Sequence, residues 1–163
     1  MAGQSVAGGN VIDITTMNDT HVITNQYNKS VTIDSTINAR IGDIGGSVGY
    51  TSQAVCNSAG VSTDPTVTAI TSNQDCHSID PSSTVNAKAY NIGGDVGLAS
   101  SAVGNTFQAD SNASNMPVDT AQINSSFVHS VVNANLANIG GNVGATSTAI
   151  ANNAQIIHYS TDN

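Results

Sequence analysis

The chain alternates between apolar and polar residues in short runs, as in Val31-Thr32-Ile33-Asp34-Ser35. Strict period-two alternation sends Val and Ile to one face and Thr and Asp to the other. That pattern predicts strands with one buried and one wet face. Val11-Ile12-Asp13-Ile14 near the start and Ala154-Gln155-Ile156-Ile157-His158-Tyr159 near the end are also strand-like. No comparable stretch shows the three-to-four spacing of an amphipathic helix.

A longer pattern is laid over the short one. Ile44-Gly45-Gly46-Ser47-Val48-Gly49 returns as Ile92-Gly93-Gly94-Asp95-Val96-Gly97 and again as Ile139-Gly140-Gly141-Asn142-Val143-Gly144. Ile/Val-Asn-Ala precedes each copy, and Ser-x-Ala-Val/Ile-x-Asn follows it. The chain is therefore a threefold internal repeat of about 47 residues. Residues 1–16 lie outside the repeat as an N-terminal extension or strand, with Gly8-Gly9 as a flexible entry. The single β domain of 17–163 divides into units 17–64, 65–112 and 113–163, with Pro65 and Pro117 near the junctions.

Within the glycine motif, period two puts Ile92, Gly94 and Val96 on one face and Gly93, Asp95 and Gly97 on the other. Glycine weakens a strand unless something must approach closely. Its recurrence at three offsets means either that another backbone packs flat on the motif or that the sheet turns a corner there. These fifteen residues, Ile44 to Gly49, Ile92 to Gly97 and Ile139 to Gly144 without the variable Ser47, Asp95 and Asn142, are the candidate packing and assembly motif.

Composition strengthens the β assignment. Val and Ile number 16 and 15 against two Leu, and Glu and Trp are absent. Helix formers are scarce and β-branched residues abundant. Fifty-seven Ser, Thr and Asn residues raise the alternative of disorder, but disordered chains lack β-branched residues and spaced motifs. The expected fold is all-β: a parallel β-solenoid or β-roll, with coils of about 20–30 residues so that each unit supplies two. A pseudo-threefold β-trefoil or β-prism is the alternative, although no Trp is present for a ricin-type trefoil signature.

Ser100-Ser101-Ala102-Val103-Gly104-Asn105-Thr106-Phe107-Gln108-Ala109 resembles the repeat of trimeric-autotransporter adhesin heads, which are parallel β-rolls on bacterial surfaces. Ser52, Ala54, Val55 and Ala59 match the same frame, as do Ser147, Ala149, Ile150 and Ala154. The family repeats this element in tandem, whereas here it occurs once per unit, with Cys56 and Ala151 in place of the glycine. The resemblance implies an extracellular β repeat.

Charge and chemistry narrow the function. A net charge of −8, with Lys29, Arg40 and Lys88 the sole basic residues, leaves no basic surface for nucleic acid. No apolar run is long enough for membrane insertion, and no secretory signal is expected in Met1 to Gly9, which has neither a basic nor an apolar region. Asp75-Cys76-His77 offers three metal ligands in a row, but adjacent strand residues point to opposite faces and cannot chelate together. The glycine motif places Asp95 at the wrong offset for calcium nonapeptides. Cys56 and Cys76 leave their pairing open. No catalytic constellation is present, so neither an enzyme nor a cofactor is expected.

The expected function is a self-assembling structural subunit of an extracellular filament, fibre or surface coat, with an adhesive role in reach. A virion decoration or fibre protein and an ice- or carbohydrate-binding β module are the alternatives. The principal partner is another copy of the chain. Contact is expected where a strand edge is left open, through Val11, Ile12 and Ile14 at one end and Ile156, Ile157 and Tyr159 at the other.

Overall fold

A computed structural model describes residues 1–29, 32–64, 68–77, 80–113 and 115–159. Val31 and Pro65, cited above for alternation and for a unit junction, lie outside the described residues. Ten strands follow in order: β1 (Ala2–Thr16), β2 (Thr20–Asn28), β3 (Ile33–Ile44), β4 (Val48–Thr63), β5 (Thr68–Cys76), β6 (Pro81–Ile92), β7 (Val96–Ser111), β8 (Val118–Asn124), β9 (His129–Ile139) and β10 (Val143–His158). No helix interrupts them among the described residues.

The strands stack into three parallel sheets. Sheet A runs β1-β4-β7-β10, sheet B β2-β5-β8 and sheet C β3-β6-β9. Every third strand therefore returns to the same sheet one row further on, which defines a parallel β-solenoid. Equivalent side chains stack at offsets of 47 or 48 residues. Trefoil and prism are excluded, because the units stack along an axis instead of circling one.

One expectation fails. Each 47-residue unit makes a single coil, not two. The reason is strand length: β4 and β7 each span 16 residues, and shorter B and C strands lie side by side over their two halves. A coil with one double-width side needs twice the usual chain.

The long strand can serve two partners because it bends. In β4 the buried/half-buried alternation slips at Cys56 and Asn57, which are both buried, and in β7 it slips at Gly104 and Asn105. Cross-strand pairing skips the same row, running from Gly8–Val55 directly to Asn10–Asn57. Before the bend, inward residues such as Val48, Tyr50, Val96 and Leu98 pack on Ile41, Val85 and Ile92 of sheet C. After it, Ala59, Val61, Phe107 and Ala109 pack on Val22 and Ile70 of sheet B. Phe107, fully buried, is the largest side chain in this second cluster.

Gly8-Gly9 is not a flexible entry. Both residues lie within β1, and a Cβ at Gly9 would collide with the Asn28 side chain and the Cys56 carbonyl. The N-terminal segment as a whole is the first strand of sheet A, paired to β4 of its own chain.

Candidate functional site

The glycine motif is a corner between sheet C and sheet A. Strand pairing ends at Ile44, Ile92 and Ile139 and resumes at Val48, Val96 and Val143, with the two glycines in the bend. Continuous period-two strand geometry is therefore lost here, although Ile92 and Val96 both still point inward, each about 1 % exposed. The reading of close backbone approach holds at the same time. A Cβ on Gly93 would lie 2.7 Å from the Gly45 carbonyl oxygen, and one on Gly94 would lie 2.7 Å from the Ser47 nitrogen. Gly140 and Gly141 meet Gly93 and Gly94 in the same way.

The third glycine of each copy behaves differently. Gly49, Gly97 and Gly144 have open space where a Cβ would go, so stacking does not require them. None of the described glycines has a positive φ; Asp43, Asn91 and Asn138, just before the motif, take the left-handed conformation instead. Asx residues tolerate that region, and here they also form a ladder. Asn91 Nδ2 donates to Asp43 Oδ1 at 2.9 Å, and Asn138 Nδ2 to Asn91 Oδ1 at 3.0 Å. Glycine at the corner is thus selected for space and not for conformational freedom.

The variable position in the motif also carries a hydrogen bond. Ser47 Oγ accepts from the Asp95 amide at 3.0 Å, and Asp95 Oδ1 accepts from the Asn142 amide at 2.8 Å. Ser47 and Asp95 each offer an oxygen to the next coil, and Asn142, in the last copy, carries an oxygen at the same place.

Polar ladders run through the core as well. Asn10 donates to Asn57, Asn57 to Asn105 and Asn105 to Asn152, at 2.8–2.9 Å. Gln122 donates to Gln74 and Gln74 to Gln26, each at 2.7 Å. Other bonds tie the layers together within each coil. Ser52, Ser100 and Ser147 donate to the carbonyls of Ser35, Ser83 and Ser130, while Gln26, Gln74 and Gln122 donate to those of Ser58, Thr106 and Asn153. Buried amides would be costly if unpaired; stacked in register, they satisfy one another.

Cys56 and Cys76 form a disulfide, with a Cα–Cα distance of 6.1 Å, from the bend of β4 to the end of β5. The neighbouring coils put Gly9 opposite Asn28 and Gly104 opposite Asn124 at this place. As the strand alternation requires, Cys76 points into the core while Asp75 and His77 meet outside it at 2.6 Å. Among the described residues no group of three His, Cys, Asp or Glu side chains gathers as a metal site.

Five of the six expected contact residues lie on edge strands, and Tyr159 directly follows β10. Among the described residues β1 pairs only with β4, and β10 only with β7. Val11 is 68 % exposed, Ile156 48 % and Tyr159 55 %; Ile12, Ile14 and Ile157 are half-buried. At the β10 end the motif residue Val143 is also exposed, because β10 has a sheet C strand, β9, on one side only, whereas β4 and β7 have one on each side and Val48 and Val96 are buried.

Three pairings were not read from the sequence: Cys56 with Cys76, Tyr90 over Gly42, and Arg40 beside Lys88. Aligning the units at an offset of 48 would have revealed the last two, since Arg40 pairs with Lys88 and Gly42 with Tyr90 in the register of β3 and β6.

Over residues 1–163 the chain matches the family model of holdfast attachment protein D, and it belongs to that family. No curated protein and no solved structure matches it. The family links the chain to bacterial surface adhesion; the likeness to autotransporter heads finds no support in these comparisons.

Proposed function

Taking membership of the holdfast attachment family as the premise, we propose that the chain is a non-catalytic structural subunit of a bacterial surface attachment apparatus, built to stack on further copies of itself. The carrying observation is that the two ends of sheet A are compatible continuations of one pattern. Ile14, Val61, Ala109 and Ile156 occupy one column, and Asn10, Asn57, Asn105 and Asn152 another. Placing β1 of a second copy beside β10 continues both columns, with Ile14 next to Ile156 and Asn10 next to Asn152. An open parallel edge offers the unpaired N–H and C=O groups that such an addition needs.

Sheet A has four strands and sheets B and C three. Direct continuation therefore occurs in sheet A, and the inner face of β10, covered by β8 and β9 from one side only and including Val143 and Ile156, lies at the junction. The disulfide fits a location outside the reducing cytosol. No cofactor is needed on this reading.

Light scattering of the purified chain across a concentration series tests the proposal. Wild type is expected to grow in size, and Ile156→Lys, which puts a charge at the junction, to leave smaller species. A wild-type chain that stays monomeric at high concentration contradicts the proposal.

A further inference from the structure

The outer face of sheet C carries a groove of about 750 Å³ that runs along the solenoid axis across all three coils. One wall is the ladder Asn38–Asn86–Asn133, whose amides bond at 2.9 and 2.8 Å. The other is the column Arg40, Lys88, Asn135. Ala39, Ala87 and Ala134 face inward between these columns, so their backbone forms the floor.

Two of the chain's three basic residues thus stand side by side on neighbouring strands of a protein of net charge −8. Like charges placed directly across a strand pair are destabilising. Among the described residues neither is neutralised by an ion pair. In the next column Tyr90 lies against Gly42, where any Cβ would collide with the ring, yet the tyrosine remains 48 % exposed. The glycine holds an aromatic ring down on the sheet beside two cations and a row of amides.

We propose that this groove binds an extended acidic glycan, with uronate carboxylates on Arg40 and Lys88 and hydroxyls on the Asn ladder. Guanidinium and ammonium groups meet carboxylates in charge-assisted hydrogen bonds. Amide ladders present alternating donors and acceptors to hydroxyls. The coils repeat at about 4.8 Å, comparable to the advance of one sugar in an extended chain, so one geometry serves successive residues. Two cations one coil apart match two successive uronates, whereas the phosphates of a duplex, one charge per about 1.7 Å, need more neutralisation than two side chains supply. The inference rests on the attachment reading for its biological sense but not for its test: a chain that binds glycan without self-associating keeps the groove and refutes the stacking, and the reverse result refutes the groove alone.

The probes are labelled oligogalacturonate, a neutral oligoglucan of the same length and a single-stranded oligonucleotide, titrated with the full chain at low and physiological salt. Oligogalacturonate is expected to bind, more weakly as salt rises, and to outcompete both other probes. Arg40→Gln with Lys88→Gln should lose affinity roughly tenfold or more. Lys29→Gln should change nothing, because Lys29 sits away from the groove over the Tyr27 ring at 4.9 Å. Circular dichroism of every variant should superimpose on wild type. The proposal is overturned by absence of oligogalacturonate binding, by equal affinity in the double variant, or by tighter binding of the oligonucleotide.

Discussion

The middle of this solenoid and its ends carry the same residues in different circumstances. Gly93 and Gly94 have the backbone of the preceding coil against them, whereas Gly45 and Gly46 have nothing within 4 Å. Val96 is 1 % exposed and Val143 is 52 % exposed. Asn57 is buried and bonded on both sides, whereas Asn152 is exposed at the end of its ladder. The contrast teaches that the motif does not store stability by itself. A residue of the repeat becomes indispensable when another coil lies on it; on the proposed stacking, the ends are the interior surfaces that a second copy would cover.

The largest expected effect breaks this comparison at the corner. Gly94→Val forces branched carbons into the Ser47 and Gly46 backbone and should cost about 3 kcal/mol or more, enough to compromise folding. Gly46→Val meets open space in a single chain and should change stability by less than about 1 kcal/mol. Urea denaturation of both variants measures the difference. Equal costs would show that the corner is a tolerant turn and not a stacked one.

The Asn ladder gives a smaller, sharper version. Asn57→Leu removes the acceptor for Asn10 and the donor for Asn105 inside the core, and should cost about 2–3 kcal/mol. Asn152→Leu takes from Asn105 one acceptor at an exposed end, while the Ile123 carbonyl still accepts from the same amide nitrogen at 2.7 Å. Its cost should fall below about 1 kcal/mol. Thermal melts of the two variants should separate clearly; coincident melts would mean that the ladder is decorative.

The parts of this architecture that repeat were legible in the sequence, and the parts that occur once were not. Three copies of Ile-Gly-Gly with an offset of 48 and then 47 define the coils, and the alternation of Val and Ile with Thr and Ser defines the strands. Close backbone approach at Gly94 was also readable, because three identical small residues need a common reason. Coil length was misjudged because period two says nothing of where a strand bends. The bend is marked by a single slip at Cys56-Asn57 and Gly104-Asn105, where a local pattern cannot distinguish one long strand from two short ones. The third glycine was overread: Gly97 recurs with the others, but a Cβ there would meet open space. Asp95 was undervalued because Ser47 and Asn142 differ from it in charge, and what the three share is an oxygen. The groove residues went unseen for a different reason. Arg40 and Lys88, or Gly42 and Tyr90, are unremarkable apart and acquire meaning once the register of β3 and β6 makes them neighbours.

The claim that the ends are interior surfaces is tested most directly by asking which residues meet between copies. Two single variants, Ile14→Cys and Ile156→Cys, would be mixed at a concentration where the chain associates and treated with a short bismaleimide. The native Cys56–Cys76 disulfide consumes the other two thiols. If β1 of one copy continues the sheet from β10 of another, the mixture gives a crosslinked pair and neither variant alone does so. Crosslinking within a single variant, or none in a mixture shown to be associated, would contradict edge-to-edge stacking in sheet A.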